Sequence, residues 1–173
     1  MNSQDVLLGM LMRRSLSGYE IKNLYEEIFG YFYNSSYGTI YPTLHRMEKE
    51  GLISKESVVQ EGKPNKNVYT ITEEGQSRFY DYLNSHVESD TYKSDFLMRL
   101  YFGHYVDEKL VIDWLQQAEK EIQSELDSLS EKRDAFKDMM QPTQLICIEL
   151  GINICIAKLT TIREGMARLK AQQ

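Results

Sequence analysis

A proline interrupts a helical pattern in the stretch NSSYGTIYPTLHRMEKEGLI. Its apolar side chains Ile40, Leu44 and Met47 recur at the spacing of one helix face. Proline has no amide hydrogen and clashes with the preceding turn, so a helix accepts it only in the first turn. The sequence therefore predicts a helix that begins close to Pro42 and ends at Gly51.

The opposite face of this predicted helix is small, polar and basic. Ser36 or Thr39 is the expected N-cap, because either hydroxyl can accept a hydrogen bond from an amide of the first turn. A helix of about three turns with one apolar stripe is unstable alone, so it should pack through that stripe. Its other face is either an ordinary solvated surface or a binding surface. The residues of that face are Gly38, Thr39, Pro42, His45, Arg46 and Lys49.

The pattern around this helix predicts a compact N-terminal domain. Asn2 to Arg13 forms a first helix, Ser17 caps a second, and Thr72 caps a fourth. After Gly51, LISKESVV and NVYTIT alternate with the period of strands, and QEGKPNK joins them as a turn. Three helices, a two-stranded hairpin and an exit helix are the order of a winged helix-turn-helix, a fold whose third helix enters a DNA groove. We assign it to residues 1–88.

The predicted wing has two lysines at the tip of its turn. Lys63 and Lys66 are expected to steady the wing on the DNA backbone. Tyr37 and Tyr41 precede or begin the third helix, where each is either a packing residue or a phosphate contact. The full predicted DNA-binding set is Ser36, Tyr37, Thr39, Tyr41, Pro42, His45, Arg46, Lys49, Lys63 and Lys66.

The rest of the chain, residues 89–173, is predicted to be helical after a polar hinge, SHVESDTYKSD. Asp107 caps a long helix, which Pro142 ends. Trp114 near its start serves packing or lines a ligand pocket between protomers. The last helix carries an apolar stripe in a coiled-coil period, which we assign to dimerisation. The stripe is Ile148, Ile152, Cys155, Leu159, Ile162, Met166 and Leu169.

Dimerisation is favoured over a helical hairpin within one chain because further apolar residues lie off the stripe. One partner helix would leave part of this surface exposed to water. The hairpin remains the alternative explanation of the stripe. The additional apolar residues are Ile146, Leu150, Ile154 and Ile156.

Composition limits the classes of protein that the chain can be. It has 173 residues, of which 42% are hydrophobic, and a net charge of −6, so any nucleic-acid surface must be a local cluster. No signal peptide is apparent, and no apolar run is expected to reach the length of a membrane span, so we expect a cytoplasmic protein without a membrane partner.

The sequence shows no pattern typical of a catalytic or metal site. The three histidines lack metal-ligand spacing, and no phosphate loop or activated nucleophile is evident, so we expect no enzyme activity, metal or cofactor. Cys147 and Cys155 lie on one predicted helix, roughly 12 Å apart along its axis, too far for a disulfide within it. We interpret both as core residues; a redox pair across a dimer is the alternative.

Several segments resemble the PadR-like transcriptional regulators, in the subgroup with a long helical C-terminal domain. They are SGYEI, YGTIYPTLHRMEKEGLI, GKPNKNVYTITEEG and FLMRLYFG, which together span most of the chain. The resemblance implies a homodimeric DNA-binding repressor that a small molecule or other signal releases. It also implies that Tyr41 faces DNA and that Lys63 belongs to the wing. The wing has Lys63, Asn65, Lys66 and Asn67 where the family is often richer in arginine, so minor-groove insertion by a wing arginine is not expected.

These observations predict a homodimeric transcriptional repressor with a pseudo-palindromic operator. Arg46 and Lys49 are expected to contact phosphate or guanine, and Thr39 and Tyr41 phosphate or a thymine methyl group. Two-fold symmetry would place the half-sites about one helical turn apart, or a multiple of it. The expected partners are operator DNA, a second copy of the chain and an unidentified effector. The alternative is a protein-interaction module built on a winged-helix domain.

Overall fold

The computed structural model describes residues 2–25, 37–60 and 63–171. The chain divides into two compact units, Met1–Asp90 and Thr91–Gln173. Helices dominate both units, and the small sheet belongs to the first. The mainly helical fold class with a winged helix-turn-helix is therefore confirmed.

The first unit has the predicted order of elements, with one addition. Three helices precede a two-stranded hairpin and an exit helix, and a short strand lies between the first two helices. In chain order the elements are α1 (Ser3–Leu11), β1 (Leu16–Ser17), α2 (Gly18–Leu24), α3 (Ile40–Lys49), β2 (Ile53–Gln60), β3 (Lys63–Ile71) and α4 (Glu73–Asn84).

Two predicted N-caps are confirmed. The Ser17 hydroxyl accepts from the Glu20 amide at 3.2 Å, and the Glu20 carboxylate accepts from the Ser17 amide at 2.9 Å. This reciprocal pair is a capping box. At the start of α4, the Thr72 hydroxyl accepts from the Gly75 amide at 3.1 Å. Both caps satisfy amides that have no partner within the helix.

The third helix begins where its proline requires. A 3₁₀ turn, Tyr37–Thr39, precedes Ile40, so Pro42 is the third residue of α3 and lies in its first turn. Thr39 takes the N-cap position, but its side chain makes no capping hydrogen bond. Ser36, the other N-cap candidate, lies outside the described residues.

The prediction that Gly51 terminates α3 is also confirmed: the helix ends at Lys49, and Gly51 follows its C-cap Glu50. Gly51 has φ of 73°, a backbone conformation that favours glycine. The Gly51 amide donates to the Glu48 carbonyl at 3.1 Å, and the Leu52 amide donates to the Met47 carbonyl at 3.0 Å. These two bonds form a Schellman motif, which directs the chain from α3 into β2.

The sheet differs from the prediction in two respects. β1 adds a third strand, giving the antiparallel order β1-β3-β2, with Leu16 opposite Tyr69. A strand of two residues is too short to show a period. β3 is also longer than predicted and β2 ends one residue later, so only residues 61 and 62 separate them. The expectation that Lys66 lies at the tip is wrong, because Lys66 is within β3, opposite Val58.

One hydrophobic cluster forms the core of the first unit. The predicted stripe of α3, Ile40, Leu44 and Met47, is fully buried in it. The surrounding side chains come from α1, α2 and the sheet, so α3 is held on one side only. The other buried members are Leu7, Leu8, Leu11, Leu16, Ile21, Tyr25, Leu52, Ile53 and Tyr69.

The second unit is built on two long helices. α5 (Asp95–Tyr101) follows its cap Ser94, and α6 (Glu108–Phe136) follows the predicted cap Asp107. α6 ends before a 3₁₀ turn, Lys137–Met139, and Pro142 is the first residue of α7 (Pro142–Lys170). Pro142 therefore begins the last helix rather than ending α6, since a missing amide costs least at that position.

The predicted dimerisation stripe packs within the chain. Arg163 donates to Glu119 at 2.6 Å and Cys155 donates to Glu125 at 3.8 Å, which pairs α6 and α7 in antiparallel fashion. The stripe is thus covered by α6 of the same chain, as in the helical hairpin that was the alternative. Ile152, Cys155, Leu159, Ile162 and Met166 are buried, and Ile148 and Leu169 are half-buried.

The apolar residues off the stripe remain exposed. Ile146, Leu150 and Ile154 follow one another at four-residue steps, which places them on one face of α7, opposite the stripe. The Leu150 side chain is 60% exposed. Cys147 is exposed as well, so its assignment to the core is wrong, whereas that of Cys155 is confirmed.

The expectation that no apolar run reaches the length of a membrane span is also wrong. An 18-residue window in α7 has a mean hydropathy of 1.8, so this helix is long and apolar enough to cross a membrane by length and composition. Core helices of soluble proteins pass the same test, and one face of α7 packs on α6. This hydropathy is therefore no sign of a transmembrane helix.

Trp114 packs between helices of the second unit. It lies against the cluster of Val111, Leu115, Ile162 and Met166. The Arg99 guanidinium carbon lies 6.0 Å from the centre of its ring. Trp114 thus contributes to the packing of α5 on α6.

Replacing Gly75 should test how α4 packs on the chain that leaves α3. A β-carbon at Gly75 would overlap the Leu52 carbonyl oxygen, which already accepts from the Thr72 amide at 3.1 Å. We expect Gly75→Ala to lower the free energy of unfolding by about 1–3 kcal/mol, measured by urea unfolding with circular dichroism.

Gly165→Ala is the matched control, since a β-carbon there would meet nothing within 4 Å. Alanine favours a helix over glycine by about 0.5–1 kcal/mol, so this variant should be as stable as the wild type or more stable. Equal losses in both variants would contradict the close contact at Gly75.

Candidate nucleic-acid interface

The face of α3 opposite the core is exposed to solvent. Tyr41 is 56% exposed, and Pro42, His45, Arg46 and Lys49 are exposed along the same helix. Thr39, at the N-cap, is exposed too. The helix therefore presents a short polar and basic surface, while its apolar stripe is buried in the core.

Arg46 is positioned by side chains from two helices. Its Nη2 donates to Gln4 Oε1 at 3.4 Å, and its Nε lies 3.9 Å from a Glu50 carboxylate oxygen. Gln4 belongs to α1 and is only 8% exposed. Sequence reasoning missed Gln4, because it lies 42 residues from Arg46 and no periodic pattern connects them.

Tyr41 packs against the first residue of α2. A β-carbon at Gly18 would lie 2.8 Å from Tyr41 Cε1, closer than real side chains approach. The close approach of the Tyr41 ring therefore requires glycine at position 18. Of the two roles considered for Tyr41, packing is present, and the exposed part of its side chain can still reach a ligand.

Acidic side chains accompany the cations of this surface. Glu48 pairs with Lys55 at 3.2 Å and lies 3.9 Å from His45 Nδ1. Both pairs are solvent-exposed, so each contributes little to stability. The surface is thus mixed in charge, in keeping with the net negative charge of the chain.

Glu20 makes several polar contacts at the edge of this surface. Its carboxylate accepts from the Ser17 amide at 2.9 Å, the Ser17 hydroxyl at 2.6 Å and Arg14 at 3.0 Å. Lys66 of β3 lies 3.1 Å from the same carboxylate. Sequence reasoning missed Glu20 because this contact depends on the fold of the wing.

These contacts hold Glu20 in its ionised form. The hydrogen bonds from Ser17 and then those from Arg14 and Lys66 lower the pKa of Glu20 from 4.5 to about 2. The carboxylate is therefore charged throughout the physiological pH range. It links the turn before β1, the start of α2 and the wing.

The structure describes three of the predicted DNA-binding residues only in part or not at all. Ser36 lies outside the described residues, and the side chains of Tyr37 and Lys63 do as well. Tyr37 begins the 3₁₀ turn before α3, and Lys63 begins β3. Within the described ranges, no group of three or more histidine, cysteine or acidic residues could hold a metal ion.

Comparison with known proteins identifies one family. The model of the "Transcriptional regulator PadR-like family" matches residues 7–81. The negative transcriptional regulator PadR of Bacillus subtilis is 26% identical over 153 residues, which cover 88% of this chain and 84% of that protein.

Solved structures resemble the whole chain. A PadR-like transcriptional regulator from Bacillus cereus is 36% identical, with a TM-score of 0.91, over 99% of this chain and 100% of that one. Bacillus subtilis PadR in complex with operator DNA superposes with a TM-score of 0.84 at 22% identity, over 96% of this chain and 98% of that one. At that identity the second likeness concerns the fold alone. The match to the Bacillus cereus protein over its full length shows that this chain belongs to the PadR-like family of transcriptional regulators.

Proposed function

We propose that the chain is a homodimeric repressor that binds a pseudo-palindromic operator through α3. The observation that carries this proposal is the one-sided packing of α3. Its apolar stripe is fully buried, and its polar side faces outward, with the basic residues Arg46 and Lys49 in the last turn of a short helix. Helices of this kind enter the major groove, where base edges differ in their donors and acceptors.

The side chains of this face divide by the contacts that they can make. Arg46 carries five donors in a planar fork, which suits two acceptors of guanine. Its contact with Gln4 restricts its orientation before DNA arrives. Lys49 supplies a contact to phosphate or guanine, and Thr39 and Tyr41 supply contacts to phosphate or to a thymine methyl group.

A second copy of the chain is the proposed partner of the outer face of α7. Ile146, Leu150 and Ile154 form an exposed apolar row on a helix whose opposite side already packs on α6. Such a row is more stable when another apolar surface excludes water from it. Pairing of two copies there would give two α3 helices related by a two-fold axis, as a palindromic operator requires.

A small molecule is the proposed signal that releases the operator. Bacillus subtilis PadR has been solved in complex with p-coumaric acid. A ligand that binds the DNA-competent and incompetent states unequally would shift this protein between them.

Selection of DNA from a random pool tests the function as a whole. Fragments retained by the purified protein should share a pseudo-palindromic sequence with half-sites about one helical turn apart, or a multiple of it. The region upstream of the protein's own coding sequence is the first promoter to test by gel shift. Retained fragments with no common sequence would contradict operator recognition.

Arg46→Ala should weaken binding to the selected operator by about 1–3 kcal/mol and relax base preference at one position of each half-site. The lost contacts are to base edges, so affinity for random DNA should change less. Fluorescence anisotropy with operator and single-base variants measures both effects.

Arg78→Ala is the control for this experiment, since Arg78 is an exposed arginine on α4 of the same unit. It removes the same charge outside the α3 surface. If the two variants lost equal affinity and kept the same base preference, Arg46 would have no role in reading the operator.

Leu150→Asp should convert the dimer to a monomer. A carboxylate buried between two apolar rows would lack a partner, at a cost of about 3 kcal/mol or more. The dimer dissociation constant should rise by about 100-fold or more, as sedimentation equilibrium can measure. Ser124→Asp places the same charge on an exposed polar position of α6 and should leave the dimer intact. An unchanged dimer in Leu150→Asp would place the interface elsewhere.

A further inference from the structure

Glu20 brings together cations from two separate segments of the first unit. Arg14 belongs to the turn before β1, and its Nη1 lies 3.0 Å from Glu20 Oε1. Lys66 belongs to the wing, and its Nζ lies 3.1 Å from Glu20 Oε2. The two cations are 52 residues apart in the sequence and meet at one carboxylate.

This cluster borders the proposed DNA-binding face. Gly18, two residues before Glu20, contacts the Tyr41 ring at the start of α3. The wing strand that carries Lys66 also pairs with β1, next to the start of α2. Arg14 and Lys66 therefore lie where the wing and the start of α2 adjoin the exposed side of α3.

The Glu20 carboxylate is fixed in place before it meets either cation. The Ser17 amide and hydroxyl both donate to Oε2, at 2.9 and 2.6 Å. Side chains that are already ordered lose less conformational entropy when they pair. Lys66 and Glu20 are also partly shielded, with side-chain exposures of 37% and 34%. The ion pair between Lys66 and Glu20 therefore loses less conformational entropy, and is less exposed to water, than a pair of mobile surface side chains.

A cation held by a protein carboxylate attracts DNA less than a cation that is available to phosphate. Phosphate contacts release counterions and strengthen binding to every duplex, whatever its sequence. They carry no base information directly. A carboxylate that takes up two cations beside the reading helix therefore lowers affinity for every duplex, random DNA included, and leaves the contribution of base contacts unchanged.

We propose that Glu20 sets the sequence-independent part of the affinity for DNA, because it holds Arg14 and Lys66 on the protein and so limits binding to random DNA. The proposal rests on the proposed function, since it takes the exposed side of α3 as the surface that meets DNA. It also replaces the expected role of Lys66: the wing lysine braces the wing against α2 instead of contacting phosphate.

Glu20→Gln is the variant that tests the proposal. Its amide oxygen can still accept from the Ser17 amide, so the cap of α2 is retained, while the negative charge is lost. Asp81→Asn is the matched control, because it removes one charge from an exposed position on α4 of the same unit. Both variants and the wild type are titrated with the selected operator and with a random duplex of equal length, at salt concentrations from low to physiological.

Glu20→Gln should bind the random duplex about five- to tenfold more tightly at ~0.1 M salt, as one additional phosphate contact would produce. The slope of log K against log salt should become steeper by about one. Operator affinity should rise by about the same factor, so the ratio of operator to random affinity stays the same. Asp81→Asn should change neither the slope nor either affinity. Equal behaviour of the two variants, or weaker random-duplex binding by Glu20→Gln, would overturn the proposal.

Lys66→Met gives a second measurement that does not depend on the folding of Glu20→Gln. In the wild-type background it should change random-duplex affinity by less than about twofold, because Glu20 already holds the lysine. In the Glu20→Gln background it should remove most of the gain. A fivefold loss with a shallower salt slope in the wild-type background would show Lys66 on phosphate and overturn the proposal.

Failure of the proposed function and failure of this inference alone give different results. A wild-type protein that binds no duplex would overturn the proposed function and this inference with it. A wild-type protein that prefers its operator, with Glu20→Gln indistinguishable from Asp81→Asn, would overturn the inference alone.

Discussion

Burial of one side of α3 is the interaction on which the rest of the first unit depends. Ile40, Leu44 and Met47 are enclosed by α1, α2 and the sheet. Each such side chain contributes about 1.5–3 kcal/mol when it leaves water, far more than any exposed ion pair of this surface. Because the core takes up only this side, the polar side is held outward without contributing to stability. The helix can therefore vary its exposed residues while the fold remains.

Electrostatics explains how an acidic chain can present a surface to DNA. The cations near α3 are few, and carboxylates lie beside most of them: Glu48 beside Lys55, Glu50 beside Arg46 and Glu20 beside Lys66. Such a surface has weak general attraction for a polyanion, so affinity must come from well-placed contacts. The mixed charge of the interface is then compatible with selectivity.

Local features of this protein are predictable from its sequence, and long-range features are not. The position of Pro42, the end at Gly51 and the caps Ser17 and Thr72 all depend on a few consecutive residues, and these predictions are confirmed. β1 was missed because two residues show no period. The place of Lys66 was wrong because strand length depends on pairing across the hairpin. The contact between Gln4 and Arg46 joins distant segments and leaves no local signal.

The sequence by itself determined the helices, the hairpin, their order and the outward side of α3. Helix starts, helix ends and apolar periods follow from backbone sterics and hydrogen bonding over one or two turns. Only the tertiary structure decided which apolar surface covers which. The stripe of α7 has a coiled-coil period that fits a partner helix from either chain, and the antiparallel packing of α6 fills it. The tertiary structure also decided that Glu20 meets Arg14 and Lys66, since a cap residue acquires long-range partners only when the wing folds beside it.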